Sequence, residues 1–122
     1  MKYTLITTMD PETAPADGSP EQGQFFGAFF AFNQEIVDKG VYLAGEPLQP
    51  AETATTVRMA EGKLSLTDGP FAETKEQIGG VYLVECTDLD EAVEWASKVP
   101  VVVFNCGSVE VRPCMDYSSA MG

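Results

Sequence analysis

The sequence predicts an α+β fold on the ferredoxin-like split βαβ plan, with a hairpin inserted between its two halves. Three observations carry this. Six runs read as strands and two segments carry the apolar period of helices, in the order β-α-β-β-β-β-α-β. Ala60-Glu-Gly62 joins two of the strands at hairpin length, with a glycine where such a turn needs one. The run from Gly79 to Cys86 is apolar on both faces, which marks a central strand.

Taken in order, Lys2 to Met9 is rich in Thr, Ile and Tyr and closes at Asp10-Pro11, so it reads as the first strand. A loop with three prolines and Gly18 runs to Pro20. From about Glu21 to Lys39, Phe25, Phe29, Phe32 and Ile36 fall at i, i+4, i+7 and i+11, the stripe of one helix, and Gly40 supplies its stop. Phe26, Phe30 and Val37 add a second stripe, about 100° from the first. Such a wide apolar face either fills a deep core or a subunit interface, or lines a ligand cavity with phenylalanines.

Val41 to Leu48 reads as a strand ending at Glu46-Pro47, and Thr53 to Met59 and Lys63 to Thr67 as the hairpin. Asp88-Leu-Asp-Glu91 has the form of a capping box; Leu89, Ala92, Val93 and Ala96 follow at helical spacing, and Pro100 comes after the end. Val101 to Phe104 and Gly107 to Pro113 read as the closing strand, and the tail from Met115 as frayed. Both helices then lie on one face of an antiparallel sheet. Tyr3, Leu5, Tyr82 and Val84 are expected on the other face, and the apolar patch they would leave predicts a homodimer packed sheet to sheet.

At 122 residues the chain fits one domain spanning 1–122, with roughly two-thirds of its unfolded surface available for burial. Three cysteines without a Cys-x-x-Cys spacing do not build a disulfide framework, which points to a reducing, cytoplasmic setting. The chain has no histidine, so neither a zinc site nor haem ligation is legible, and no metal or cofactor is expected. A formal net charge of −12, with seven scattered Lys and Arg, argues against direct nucleic-acid binding and against an anionic membrane. The N-terminal residues alternate and hold no apolar run of signal or spanning length.

The ionisable residues concentrate around one turn. Asp68-Gly69-Pro70 is either turn chemistry alone or the placement of Asp68 as a general acid or base beside a cleft. Glu73, Thr74, Lys75 and Glu76 follow, either as a solvated loop in which Thr74 caps a short helical turn, or as a binding loop held down by Phe71. Arg112 alternates with valines on the last strand, as an ion-pair partner of Glu110 or as an anchor for an anionic ligand. Cys86 is most simply a small buried hydrophobe, and without a histidine Cys106 and Cys114 lack the activation a nucleophile needs.

The run Thr67-Asp-Gly-Pro-Phe-Ala-Glu-Thr-Lys-Glu-Gln-Ile-Gly-Gly-Val-Tyr-Leu-Val-Glu85 closely resembles the DGPF branch of the YCII-related proteins. Asp88-Leu-Asp-Glu-Ala-Val-Glu-Trp-Ala96, Gly107-Ser-Val-Glu-Val-Arg-Pro113, Ala44-Gly-Glu-Pro-Leu-Gln-Pro50 and Thr53-Ala-Thr-Thr-Val-Arg58 extend the resemblance over nearly the whole chain. It implies a dimeric α+β barrel. It also implies a possible enzyme, since activity in the wider family has been tied to a His-Asp pair in a cleft; a chain without histidine cannot inherit that pair. Some relatives lie beside or are fused to extracytoplasmic-function sigma factors, which implies a role in transcription initiation. The Phe-rich first helix and the Val101 to Cys106 run depart from the family pattern.

Two functions follow as expectations. In the first, a cleft between the first helix and the sheet holds a small molecule. Phe29, Phe32 and Tyr82 line it, Asp68 is the acid or base, and Glu73, Thr74, Lys75 and Arg112 contact polar groups. In the second, the protein is a non-enzymatic module with a protein partner such as a sigma factor, and the charged loop faces that partner.

Overall fold

The computed structural model describes residues 1–118; the end of the expected frayed tail lies outside them. Its elements are β1 (Lys2–Met9), α1 (Pro20–Asp38), β2 (Tyr42–Pro47), a 3-10 turn at Ala51–Thr53, β3 (Thr55–Ala60), β4 (Lys63–Asp68), β5 (Gln77–Glu85), α2 (Leu89–Ser97), α3 (Pro100–Val103) and β6 (Val109–Pro113). The main sheet has the order β2-β5-β1-β6 and is antiparallel throughout, while β3 and β4 form a separate two-stranded sheet. This is the ferredoxin-like arrangement with an inserted hairpin. β5 occupies the central position its two-sided apolar pattern requires.

Local chemistry starts and stops α1 cleanly. Ser19 is the N-cap, its hydroxyl accepting from the Gln22 amide, with Pro20 in the first turn. At the other end Gly40 takes φ 73°, and the Gly40 and Val41 amides bond back to Val37 and Ile36, closing a Schellman motif. The same residues turn the chain directly into β2. For α2, Asp88 is the N-cap and accepts from the Glu91 amide, while the Glu91 carboxylate accepts from the Thr87 amide.

Two expectations need correction. Val101 to Val103 is not strand but helix, with Phe104 as its C-cap, because Pro100 enters at N1 with its φ already set and a single turn buries Val99, Pro100 and Val101 together. Strand preference among valines reflects packing on a half-buried pleat, and here a helical turn achieves that burial. The closing strand accordingly begins only at Val109.

The second correction concerns sheet parity. Tyr3, Leu5 and Val84 are buried on the helix-covered face, with Tyr3 opposite Val84 and Leu5 opposite Tyr82. The open face carries Thr4, Ile6, Val81 and Leu83 instead, because neighbours along a strand point to opposite sides. The core therefore lies between the sheet and the three helices, around Leu5, Ile36, Val84, Val99 and Cys106. Among the described residues no helix is long and apolar enough to cross a membrane.

Candidate functional site

A cleft of about 950 Å³ opens between α1 and the β2–β5 side of the sheet. Its walls follow from two helical stripes meeting a strand pair. Phe25 and Phe29 come from the core stripe of α1, Phe26, Phe30 and Val37 from the second stripe, and Tyr42 and Tyr82 from β2 and β5. The rings pack edge to face: Phe25 on Phe29 with centroids 5.2 Å apart, and Tyr82 on Phe32 at 5.5 Å. Gly45 makes the tyrosine wall possible, since a Cβ there would stand 3.1 Å from Tyr82 and 3.2 Å from Tyr42.

Thr7, Thr8, Glu46, Gln49, Glu52 and Gln77 also border the cleft, and one side-chain pair sits among the rings themselves. The Tyr82 hydroxyl donates to the Asn33 side-chain oxygen at 2.6 Å. Burial, and secondarily Tyr42, pushes the Tyr82 phenol up to about 12, so it stays protonated at neutral pH. With its one proton committed, Tyr82 still presents lone pairs, and the Asn33 amide keeps two N–H donors. The cleft thus offers apolar walls and a joint donor and acceptor.

Of the residues expected at the site, Phe29 and Tyr82 line the cleft, while Phe32 is buried behind Tyr82 and backs it. The rest lie elsewhere. Asp68 is exposed at the end of β4, opposite Thr55, and does not line the cleft. The turn after it is held by backbone chemistry: Gly69 takes φ 107°, its amide bonds the Ala54 carbonyl, and its carbonyl accepts from the Thr56 hydroxyl. Glu73 is exposed, and the Thr74 hydroxyl donates to the Glu76 carbonyl with no helical turn following, so the capping reading is corrected. Arg112 pairs with Glu110 along β6 on the open face of the sheet.

Phe71 does not tuck in as expected but is exposed; the loop is tied by the Arg58 guanidinium donating to the Phe71 carbonyl at 2.9 Å. It is tied again by Lys75, whose ammonium lies 3.6 Å from the carboxylate of buried Asp10. That carboxylate also accepts from the Glu12 amide. Because Lys75 is largely in water, Lys75→Met should change stability by less than about 1 kcal/mol. Asp10→Ala, which also removes the cap of the turn after β1, should cost about 1–3 kcal/mol in urea unfolding. Equal costs would refute this ranking.

Sequence reasoning missed Asn33 and Tyr42. The signal for Asn33 was present: Phe26, Phe30, Asn33 and Val37 fall at i, i+4, i+7 and i+11, so a lone amide sits within an apolar stripe.

A family model for the YCII-related domain matches residues 1–118. The chain belongs to the YCII-related family. An uncharacterised protein of Rhizobium meliloti (strain 1021) is 34% identical to this YCII-related chain over 117 residues, 96% of the chain and 94% of that protein. Among solved structures, the 5-chloro-2-hydroxyhydroquinone dehydrochlorinase of Burkholderia phenoliruptrix AC1100, in complex with 2,5-dihydroxybenzoquinone, shares the fold. That match has a TM-score of 0.54 and 15% identity, and covers 94% of both chains.

Proposed function

We propose that this YCII-related protein binds a small aromatic molecule bearing ring oxygens in the cleft between α1 and the sheet, as a ligand-binding protein or an enzyme. The observation that carries it is the Tyr82–Asn33 pair set in a phenylalanine and tyrosine wall. A flat ring suits edge-to-face surfaces, and its hydroxyl or carbonyl oxygen meets both a donor and an acceptor. The quinone in the dehydrochlorinase complex supports the same ligand class by analogy. Asp68 contributes nothing to this reading from its place in the hairpin.

The test is calorimetric titration with 2,5-dihydroxybenzoquinone, hydroquinone and naphthalene. Tyr82→Phe and Asn33→Ala should each weaken binding of the oxygenated rings about three- to tenfold, the worth of one neutral hydrogen bond, and leave naphthalene unaffected. If none of these rings binds the wild type, or both variants bind like it, the reading falls.

The open sheet face, with Ile6, Val81 and Leu83, supports a homodimer packed through it. The alternative of a module that binds a protein such as a sigma factor draws on the solvent-facing Glu73, Lys75 and Glu76. It predicts a stable complex with that partner that survives Tyr82→Phe.

A further inference from the structure

The hairpin β3–β4 leaves an apolar stripe bare. Val57 stands opposite Leu66 and Met59 opposite Leu64, so all four side chains share one face, and they are 58, 70, 66 and 72% exposed respectively. A two-stranded hairpin is marginal in water without a packed face, and these six-residue strands make an arm about 20 Å long. The Gly69 bonds to Ala54 and Thr56 fasten its base, and Arg58 on the fourth rung ties to the Phe71 carbonyl. A second bare surface lies on α1, where Phe26, Phe30 and Val37 rim the cleft and Phe30 is 78% exposed. Neither surface covers the other within one chain.

We infer that the arm of one copy packs its Val57–Leu66 stripe across the Phe26–Phe30 rim of a second copy, and so forms the outer wall of that copy's cleft. Three observations select a second copy as the occupant. The first is symmetry: both bare surfaces are on the same chain, so a two-fold exchange covers all four of them at once, and the contact closes without leaving a free surface for further growth.

The second is area. A stable interface takes about 800 Å² from each partner, more than one four-residue stripe supplies. Each partner contributes one arm and one rim, so the arm contact adds to packing of the open sheet face and does not carry the interface alone.

The third is charge. A chain of net charge −12 repels its own copies, but the arm is balanced, with Arg58 and Lys63 against Glu61 and Asp68. It is therefore a stretch that can approach an acidic surface, and the cleft's β2 end presents Glu46 and Glu52.

The arm's docking stands on these surfaces alone; its role as a cleft wall rests on the ligand reading above. The test uses full-length protein in a Cys114→Ser background. Chains carrying Leu64→Cys are mixed with differently tagged chains carrying Phe30→Cys and oxidised gently. A disulfide between the two tags supports the proposal. The same two cysteines placed in one chain and closing within a monomer would overturn it, as would no bridge in either format.

Light scattering of the wild type should return twice the 13.1 kDa chain mass. Leu64→Glu with Leu66→Glu, at exposed positions, should raise the dimer dissociation constant about tenfold or more and weaken uptake of the neutral probe N-phenyl-1-naphthylamine in parallel. A monomeric wild type overturns the inference. If the cross-copy disulfide forms but no aromatic ring enters the wild-type cleft, the arm contact holds and the ligand reading fails.

Discussion

Replacing Gly107 with alanine should destabilise the protein by about 3 kcal/mol or more and lower the melting temperature by roughly 10 °C. Gly107 lies where the chain leaves α3 and crosses the end of β1. A Cβ built there would fall 1.9 Å from the Thr8 carbonyl oxygen, 2.8 Å from the Thr8 carbonyl carbon and 3.0 Å from Met9 Cα. These are backbone atoms, with no rotamer to swing away. The crossing is also held from both sides, since the Thr8 amide bonds the Ser108 carbonyl and the Asp10 amide bonds the Cys106 carbonyl, each at 2.8 Å.

Relief therefore requires moving a core strand or breaking those bonds, each worth about 1 kcal/mol. The requirement is for space, not for an unusual φ. Gly23 is the control: it is exposed in α1 with nothing within 4 Å of a built Cβ, and Gly23→Ala should stabilise by about 0.5–1 kcal/mol through helix propensity. Thermal unfolding of both variants decides the matter. If Gly107→Ala melts within a few degrees of wild type, the contact described here is not what fixes the crossing.

That crossing also marks the limit of what the residues alone disclose. The periodic elements were legible: α1 from Phe25, Phe29, Phe32 and Ile36, α2 from its capping box, and β5 from a run apolar on both faces. α3 was not, because three consecutive valines favour a strand locally; the helical turn is set by burial of Val99, Pro100 and Val101, while Val102 and Val103 stay exposed. Parity failed at Tyr3 and Leu5 for a related reason. Alternation shows that a strand has two faces, while the choice of face belongs to the helices that cover it.

The site divides the same way. The double phenylalanine stripe allowed a ligand cleft beside a deep core or a subunit interface, and Phe29 and Tyr82 line the cleft that forms. The dense ionisable run from Asp68 to Glu76 drew the chemistry toward itself, yet its contacts are a turn, an Arg58 tie, a reach to Asp10 and a bond that the Glu76 carboxylate accepts from the Thr8 hydroxyl. Those partners are far apart in sequence, as Asp10 and Lys75 are. Local pattern carries no trace of such a contact.

Phe32→Ala should be the most damaging single change near the cleft, at about 3–5 kcal/mol. Phe32 is 4% exposed, and its ring meets Tyr82 edge to face at 74° and Trp95 at 72°, so truncation empties a ring-sized volume between helix and sheet. Part of the loss is the aromatic geometry, about 0.5–1.5 kcal/mol per pair beyond area. The consequence for binding follows from position. Phe32 does not line the cleft, but it backs the Tyr82 ring, and Tyr82 holds the hydrogen bond to Asn33 that presents the polar pair to a ligand. Phe32→Leu separates the two effects, because it refills most of the volume while removing the flat edge. It should cost about 1–2 kcal/mol in urea unfolding. It should still weaken hydroquinone binding severalfold, with naphthalene affected less. Phe29→Leu, at the wall itself, should weaken both ligands alike. If Phe32→Leu binds hydroquinone as tightly as wild type, Tyr82 needs no backing, and the role of Phe32 is confined to the core.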